Sequence, residues 1–347
     1  MHRVGIIANP VSARDIRRVI ANAAALQISD RANIVLRVLA CLKACGIDDV
    51  VMMPENGGIR GHIRRRLDCS HNRGETEFPK VAFLDMPVTG TVLDTLRAAQ
   101  LMRKEKVSAI VVLGGDGTHR AVVSACGAVP IAGISTGTNN AFPEHREPTV
   151  TGLAIGLAVT GLVPSSVAYS ANKRLVVEVN GAQDIALVDA AIVTECYVGA
   201  RALWRTETFR ELLVAFADPE AIGMSAIAGL LEPVGRGESG GLLVELAPEN
   251  EAELTVQAPI APGYIRPIGI AGWRRIGADI PYTPATRVGS IALDGEREIS
   301  FSERDRVTIR LEENAFRTIN VSACMAYAAR HRLLQRAAMP ELQRSVM

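Results

Sequence analysis

The hydrophobic positions in the first half of the chain follow two different periods. Largely apolar runs, typical of strands buried on both faces, occur at residues 3–8, 49–53, 81–84, 107–113 and 131–134. Between them, apolar residues recur at helical spacing, as Val92, Leu96 and Met102 do. Strands that alternate with helices in this way predict an α/β fold with a doubly wound parallel sheet.

The pattern changes after residue 168. The segments beyond this point are mostly short, β-like and punctuated by Gly and Pro, with one helical interruption predicted near residues 206–217. We therefore predict an α/β domain over residues 1–168 and a β-rich domain over residues 169–321 that completes a cleft. The C-terminal helix, within residues 322–347, is expected to pack back onto the first domain.

Composition restricts the classes of partner. The 38 basic and 37 acidic residues give a formal net charge of +1, so no global positive field favours nucleic acid as a partner. No apolar run approaches the roughly 18 residues of a membrane span, and the N-terminal apolar stretch is too short for a signal peptide. The six cysteines contain no CxxC pair and fit reduced thiols. We expect a cytoplasmic protein that docks on no membrane.

A glycine-rich turn follows the most apolar strand. Residues 109–113 lead directly into Gly114-Gly115-Asp116-Gly117-Thr118. Open α/β sheets bind ligands at the carboxyl ends of their strands, and glycines let main-chain amides approach an oxyanion closely. The helix that follows directs its positive end at the same point. Asp116 could hold Mg²⁺ or accept a proton from a hydroxyl nucleophile, the alternative being a tight turn with Asp116 as a helix cap.

A second glycine turn, Ser135-Thr136-Gly137-Thr138-Asn139-Asn140, follows the next predicted strand. Its hydroxyls and carboxamides can hydrogen-bond to phosphate or ribose without adding charge. An ordinary turn closed by Ser and Thr side chains would have a similar sequence. Two such turns at the ends of consecutive strands favour one shared ligand site over two unrelated turns.

The GGDGT turn and the TGTNN turn some twenty residues later resemble the ATP–NAD kinase/diacylglycerol kinase superfamily. The string from Ser135 to Pro143 is most similar to the AcoX branch of NAD-kinase-like proteins. Asn9-Pro10-Val11-Ser12 resembles the family's first loop, and Leu293-Asp294-Gly295-Glu296 resembles its late Asp-Gly turn. The resemblance implies an ATP-dependent kinase that acts on a small molecule, with NAD as a possible substrate and Mg²⁺ as a possible cofactor. By analogy it also implies a homo-oligomer.

The two turns and the resemblance assign a role to each candidate site residue. Asp116 would lie at the acceptor hydroxyl or the metal, while Asp189, Asp294 and Gly295 would come from the second domain. Phosphate and nucleotide contacts are assigned to Asn9, Gly114, Gly115, Gly117, Thr118, Thr136, Gly137, Thr138, Asn139 and Asn140.

Three departures from the family pattern leave the acceptor open. NAD kinases carry an Asn-Glu pair where this chain has Val188-Asp189, and lipid kinases continue after GGDGT with Leu-Asn-Glu, whereas this chain has His119-Arg120-Ala121. The Thr-Pro-Thr-Gly-Ser segment of NAD kinases is also not recognisable. A non-catalytic sensor of a nucleotide or dinucleotide therefore remains the alternative to a kinase.

Three other signals have simpler interpretations. Residues 235–240 match G-x-G-x-x-G, but a strand follows them rather than a helix, so we expect a mobile loop near the cleft. A zinc site built from Cys41, Cys45, Cys69 and His71 is less favoured than core cysteines, because the spacing is irregular. His119 is expected to fill a helix surface, the alternative being a contact with phosphate.

Overall fold

The computed structural model describes residues 2–10, 26–136, 140–194, 208–295 and 297–335. Within these ranges the strands are β1 Arg3–Ala8, β2 Asp49–Met52, β3 Lys80–Phe83, β4 Ala109–Gly114, β5 Ile131–Ser135, β6 Tyr169–Val179, β7 Ala182–Ala186, β8 Asp189–Val193, β9 Phe209–Val214, β10 Gly241–Ala247, β11 Leu254–Ala261, β12 Tyr264–Ile276, β13 Gly289–Leu293, β14 Arg297–Phe301 and β15 Val307–Ile319. The helices are α1 Ile28–Ala44, α2 Ile59–Asn72, α3 Val92–Lys104, α4 Asp116–Cys126, α5 Pro148–Val159, α6 Ser165–Ala168, α7 Met224–Leu231 and α8 Val321–Arg330. No helix in these ranges has both the length and the apolar run that crossing a membrane demands.

The first sheet has eight strands in the order β3-β2-β1-β4-β5-β15-β6-β7. Strands β1 to β5 are parallel, and the helices between them lie on both faces of the sheet. The predicted doubly wound parallel sheet is therefore confirmed. The carboxyl ends of β1, β2, β3, β4 and β5 all lie at one edge, which is where both glycine turns are found.

The division of the chain between the two sheets does not follow the domain boundary that we predict at residue 168. Strands β6, β7 and β15 lie beyond that residue but belong to the first sheet, where β15 pairs with β5 and β6 pairs with β15. Strand β15 lies beside the edge of β5 and pairs with it at Thr318 and Ile131, and β6 and β7 extend the sheet beyond β15. The sequence gives no signal for this return, because strand pairing across almost two hundred residues leaves no local pattern.

The second sheet has seven antiparallel strands in the order β11-β12-β10-β9-β8-β13-β14. It provides the β-rich part of the chain that we predict. The helix predicted near residues 206–217 is wrong over its described part, because β9 lies there between β8 and β10. Leu212, Leu213 and Val214 are all buried, and an apolar run covered on both faces does not distinguish a strand from a helix.

Three hydrophobic clusters hold these layers together. One face of the first sheet packs on α1, α5 and α8, through Leu39, Ile155 and Cys324. The other face packs on α3, α4 and the second sheet, whose Leu213 belongs to the same cluster as Met102 of α3. The outer face of the second sheet is covered by α7. Strands β8 and β9 at the centre of the second sheet are therefore buried on both faces, and the sheet packs against the layer that carries α4.

Helices α1 and α5 cross closely at small residues. A Cβ atom added to Gly152 would lie 2.8 Å from the Cβ atom of Cys41, and one added to Gly156 would collide with Cys45. Cys41 is buried, which fits the core interpretation, whereas Cys69 is exposed on α2. The first two cysteines therefore pack against the glycines of α5.

Candidate functional site

The GGDGT turn is tightly packed. Strand β4 ends at Gly114, and α4 begins at Asp116 with Gly115 as its N-cap. A Cβ atom on Gly114 would collide with the side chain of Thr118. The carbonyl oxygen of Gly115 accepts hydrogen bonds from the amides of Thr118 and His119, both at 3.1 Å. Gly114 is thus required for the close approach of the strand end to the first turn of the helix.

The two glycine turns and the end of β1 meet at the carboxyl edge of the sheet. The amide of Thr136 donates to the carbonyl of Gly114 at 3.2 Å, and the amide of Asn9 donates to the carbonyl of Leu113 at 3.4 Å. The hydroxyl of Thr136 is buried and has no hydrogen-bond partner among the residues that the structure describes. The structure therefore brings Asn9, Gly114 and Thr136 together, while Gly137, Thr138 and Asn139 lie outside the described residues.

A buried arginine lies directly behind this meeting point. Arg31 of α1 is 1% exposed, and its guanidinium donates to the carbonyls of Asn9 at 2.7 Å and Thr136 at 3.5 Å. Burying such a charge is costly unless hydrogen bonds satisfy it, so Arg31 joins the two loops and brings positive charge to them. Sequence reasoning missed it. The only available signal was its spacing of four residues from Val35 and eight from Leu39, on the buried face of α1.

The carboxylate of Asp116 is held by the segment that follows the second turn. It is 5% exposed and accepts main-chain hydrogen bonds from Ala141 at 3.0 Å and Phe142 at 2.9 Å. Asn140 closes the same segment onto the end of β5, because its side-chain amide donates to the hydroxyl of Ser135 at 2.6 Å. Amide donors favour the charged form of a carboxylate, so this arrangement fixes the orientation of Asp116 and stabilises its charge.

Arg236 binds the other side of that segment and was also missed from sequence. Its guanidinium donates to the carbonyls of Phe142 at 2.8 Å and Ala141 at 2.6 Å. It lies 5.1 Å from the ring centroid of Phe142 and 4.3 Å from that of Phe216. The Gly-rich loop that we expect near the cleft thus contacts the segment bound to Asp116.

This loop is anchored rather than free. The ammonium group of Lys173, on β6, donates to the carbonyls of Gly235, Glu238 and Gly240 at 3.0, 2.6 and 2.6 Å. Glu313, on β15, accepts a hydrogen bond from the amide of Gly240 at 2.7 Å. Two strands of the first sheet therefore fix the position of the loop that carries Arg236.

His119 is a core residue, and the prediction that it fills a helix surface is wrong. It is 0% exposed, and its Nδ1 atom lies 2.9 Å from the carbonyl oxygen of Gly115. Burial lowers its pKa to about 4, although the hydrogen bond to Gly115 opposes this shift. A Cβ atom on Gly133 would lie 2.7 Å from its Nε2 atom. At neutral pH the ring is therefore uncharged and packed against β5.

The candidate residues of the second domain lie together in a buried turn. The carboxylate of Asp294 accepts hydrogen bonds from the main-chain amides of Leu187 at 3.0 Å, Val188 at 2.9 Å and Asp189 at 3.4 Å. The amide of Asp294 in turn donates to the carbonyl of Asp189 at 3.0 Å. Burial raises the pKa of Asp294, against the effects of Arg120 and of these amides. Asp294 and Gly295 both have positive φ, at 49° and 67°.

Helix α4 connects this turn to the GGDGT turn. Arg120 lies one helical turn after Asp116, and its guanidinium donates to the carbonyl of Leu293 at 3.0 Å. The same nitrogen lies 4.0 Å from the carboxylate of Asp294. Asp294 therefore braces the contact between α4 and the second sheet.

A cavity of about 560 Å³ opens at the carboxyl ends of β1, β2 and β3. Asn9 lines it and also belongs to the meeting point of the turns. The other lining residues are Pro10, Ile28, Met53, Glu55, Asn56, Gly57, Val88, Thr89, Gly90, Thr91, Asp94 and Thr95. A larger cavity of about 770 Å³, between α2 and β3, is lined by none of the predicted site residues.

Polar groups shape the wall of the 560 Å³ cavity at the start of α3. The carboxylate of Asp94 accepts hydrogen bonds from the amides of Thr89 at 2.9 Å and Gly90 at 2.7 Å. Burial alone would raise its pKa, but these hydrogen bonds hold the pKa below its usual value. The hydroxyl of Thr95 is buried and has no hydrogen-bond partner in the described part of the chain. The local sequence signal for this wall is Thr89-Gly90-Thr91, which is small and polar and directly precedes α3.

The described residues do not form an evident metal site. No group of three or more His, Cys, Asp or Glu side chains among them is arranged to hold an ion. The carboxylates nearest the cavity and the turns, those of Glu55, Asp94 and Asp116, all accept main-chain amides. The described residues therefore offer no set of three or more such ligands for a resident Mg²⁺ ion.

Comparisons with known proteins cover nearly the whole chain. Residues 4–158 match the family model of the ATP-NAD kinase N-terminal domain, and residues 173–314 match that of the acetoin catabolism protein X C-terminal domain. Solved structures described as diacylglycerol kinases from Bacillus anthracis str. Sterne are similar at 13% and 14% identity, with TM-scores of 0.45 and 0.40. They cover 92% of this chain, and this chain covers 96% and 97% of theirs.

A curated relative is much closer in sequence. Acetoin catabolism protein X from Cupriavidus necator is 57% identical over 337 residues, which is 96% of this chain and 94% of the relative. Identity at this level over both domains shows common family membership. The chain belongs to the acetoin catabolism protein X family, whose N-terminal part is of the ATP-NAD kinase type.

Proposed function

We propose that this protein is an ATP-dependent kinase that transfers a phosphoryl group to a hydroxyl of a small molecule. The observation that carries this proposal is the position of the 560 Å³ cavity. It lies at the carboxyl edge of the parallel sheet and shares Asn9 with the meeting point of the two glycine turns. Ligand cavities of roughly 300–1,000 Å³ at this edge are typical of nucleotide-binding α/β folds.

The positive charge of Arg31 supports one orientation of the nucleotide in the 560 Å³ cavity. Arg31 brings a buried positive charge behind Asn9 and Thr136, and such a charge attracts phosphate strongly because little water screens it. Thr95 also lines the cavity, and its hydroxyl offers a neutral hydrogen-bond partner. We infer that the base and ribose occupy the α3 side and that the phosphates extend toward Asn9 and the GGDGT turn.

Asp116 would act on the acceptor. Its carboxylate, oriented by two amides, would take the proton of the acceptor hydroxyl as that oxygen bonds to the γ-phosphorus and the bond to ADP breaks. NAD is the first acceptor to test, followed by acetoin-related hydroxyl compounds and sugars. Because no set of described residues fits a resident Mg²⁺, we assign no protein ligand and no step to the ion.

The test is ATP consumption across this acceptor panel, measured for the wild type and for Asp116→Asn. We expect turnover with at least one acceptor and a loss of about 10³-fold in Asp116→Asn, with the Kd for ATP unchanged within about threefold. Asp48→Asn is the matched control, because that side chain is exposed and pairs with Lys43 on the surface. Equal turnover in wild type and Asp116→Asn would remove Asp116 from the mechanism.

A second candidate is a non-catalytic sensor of a nucleotide or dinucleotide. It is favoured by one observation, namely that the Asp116 carboxylate accepts two main-chain amides, which is also what a purely structural aspartate does. Tight binding of ATP or NAD without turnover across the whole panel would support the sensor. We expect a homo-oligomer in either case, which sedimentation analysis tests.

A further inference from the structure

A single peptide group lies between a guanidinium and the carboxylate of Asp116. The carbonyl of Ala141 accepts a hydrogen bond from Nη2 of Arg236 at 2.6 Å, and the amide of the same peptide group, that of Phe142, donates to Oδ1 of Asp116 at 2.9 Å. On either side, the carbonyl of Phe142 binds Nη1 at 2.8 Å and the amide of Ala141 binds Oδ2 at 3.0 Å. One main-chain segment thus binds a cation on one side and an anion on the other.

This arrangement strengthens the hydrogen bonds to Asp116. Hydrogen bonds connected through one peptide group polarise each other, so a cation on the carbonyl makes the amide a better donor. The rings of Phe142 and Phe216 flank the guanidinium and limit its contact with water. The planar fork of arginine can bind both carbonyls at once, which a lysine ammonium group cannot do with the same geometry.

The guanidinium is itself held from elsewhere in the fold. Its loop precedes β10 of the second sheet and is fixed by Lys173 and Glu313, which lie on strands of the first sheet. Segment 141–142, by contrast, directly follows the second glycine turn. The hydrogen bonds of Arg236 are therefore a route by which the loop before β10 determines where the Asp116 carboxylate points.

We propose that Arg236 is a positioning residue for Asp116: through the peptide groups of residues 141–142 it fixes the orientation of the carboxylate that receives the acceptor proton. This inference rests on the proposed function. Arg236 does not line the 560 Å³ cavity in which we propose that the nucleotide binds, so its loss should reduce turnover without weakening nucleotide binding.

Arg275 provides a matched control. It pairs with Glu232 at 2.6 Å and Glu238 at 2.9 Å, and its guanidinium also donates to the carbonyl of Pro233. Arg275 therefore holds the same loop through partners that lie outside segment 141–142. If Arg236 only stabilised the loop, replacing either arginine would have the same effect. If it positions Asp116, only the Arg236 variants should lose turnover.

The experiment compares Arg236→Met, Arg236→Lys and Arg275→Met with the wild type. A misplacement of about 1 Å at a reacting group can cost about 10²-fold, so we expect kcat to fall about 30- to 100-fold in Arg236→Met. In Arg236→Lys we expect a fall of about 3- to 10-fold, because one carbonyl keeps a charged donor. Arg275→Met should stay within about twofold, and the Kd for ATP should stay within about threefold in all three.

A second measurement does not depend on activity. The amide proton signals of Ala141 and Phe142, observed by NMR in selectively ¹⁵N-labelled protein, should move upfield in Arg236→Met and stay in place in Arg275→Met. A thermal unfolding curve shows whether Arg236→Met folds. If it does not, kcat and the two amide signals of Arg236→Lys test the inference instead.

Several results would overturn the inference. One is a kcat in Arg236→Met equal to that of the wild type. Another is a loss of kcat in Arg275→Met as large as that in Arg236→Met. The third is that the amide signals of Ala141 and Phe142 stay in place when Arg236 is replaced. If kcat is retained in Arg236→Met but lost in Asp116→Asn, the inference fails and the proposed function stands. If Asp116→Asn itself retains turnover, the proposed function fails.

Discussion

The carboxyl edge of the eight-stranded sheet is open on one side and packed on the other. At β1, β2 and β3 it borders a cavity of about 560 Å³, and the hydroxyl of Thr95 lies buried in its wall. At β4 and β5, Gly114 lies directly against Thr118, and His119 is fully buried beside Gly133. The Gly-Gly motif lies at a closely packed turn, while the 560 Å³ cavity is lined by neighbouring turns with less conspicuous sequences.

The two buried aspartates of the site differ in their surroundings rather than in their burial. Asp116 and Asp294 both bind main-chain amides, and each residue is 5% exposed. Asp294 lies in the contact between α4 and the second sheet, and Asp116 lies at the edge of the sheet beside Asn140. Main-chain amides therefore hold a structural aspartate in one place and a candidate catalytic base in another.

The largest expected effect separates these two aspartates. Asp116→Asn should reduce kcat about 10³-fold and lower the free energy of unfolding by only about 1–2 kcal/mol, because Asn still accepts one of the two amides while its NH2 group faces the other. Asp294→Asn should leave kcat within about fivefold, since its carboxylate only braces the fold. Steady-state kinetics and urea unfolding of both variants test this. Comparable kcat losses in the two would contradict the distinction.

Asp294→Ala should lower the free energy of unfolding by about 3 kcal/mol, because three buried amides lose their acceptor and Ala disfavours a positive φ. Asp294→Asn should lose less, since its carbonyl oxygen still accepts hydrogen bonds and Asn tolerates this conformation. Urea unfolding measures both variants. Equal destabilisation by the two variants would mean that neither the side-chain acceptor nor the positive φ of residue 294 contributes to stability.

The burial of His119 should make stability depend on pH. On folding, burial lowers the pKa of the His119 imidazole from 6.5 to about 4, so the imidazole binds a proton more tightly in the unfolded chain than in the native state. This residue therefore favours the native state fully only above about pH 6.5, where the imidazole is neutral in both states. Stability should therefore fall as pH drops from about 6.5 to 4, by about 2–3 kcal/mol from this residue. Unfolding curves of His119→Gln should lose this part of the pH dependence. His71→Gln, on the exposed end of α2, is the control and should keep it.

The smallest effect concerns the open side of the edge. Thr95→Val keeps the shape of the side chain and removes one hydroxyl, so the Kd for ATP should rise by about 3- to 10-fold. Stability should not fall, because that hydroxyl has no partner among the described residues. Isothermal titration with ATP checks this. An unchanged Kd would indicate that the nucleotide does not reach the α3 side of the cavity.

Local pattern was enough to predict the parallel sheet and the meeting of the two turns. An apolar run that ends in GGDGT specifies a buried strand and a tight turn, and consecutive parallel strands must end at the same edge. The contacts of Arg31 and Arg236 could not be predicted, because they join residues about a hundred positions apart in sequence. The pairing of β15 with β5 and β6 is non-local in the same sense.

The candidate site could be predicted only in part. Asn9, Gly114 and Thr136 meet at the edge, but Gly137, Thr138 and Asn139 lie outside the described residues, and their roles stay predictions. Strand β9 was mistaken for a helix, because burial on both faces removes the alternation by which strands are recognised. The cavity wall at residues 55–57 was not predicted at all, since its shape depends on how three separate turns pack together.

The most direct test of the account is a crystal structure of the protein with a non-hydrolysable ATP analogue. We predict electron density for the base and ribose in the cavity between Asn9, Gly57 and Thr95, with the phosphates directed at Gly114 and Thr136. Density for the nucleotide at any other surface, such as the cavity between α2 and β3, would contradict the account.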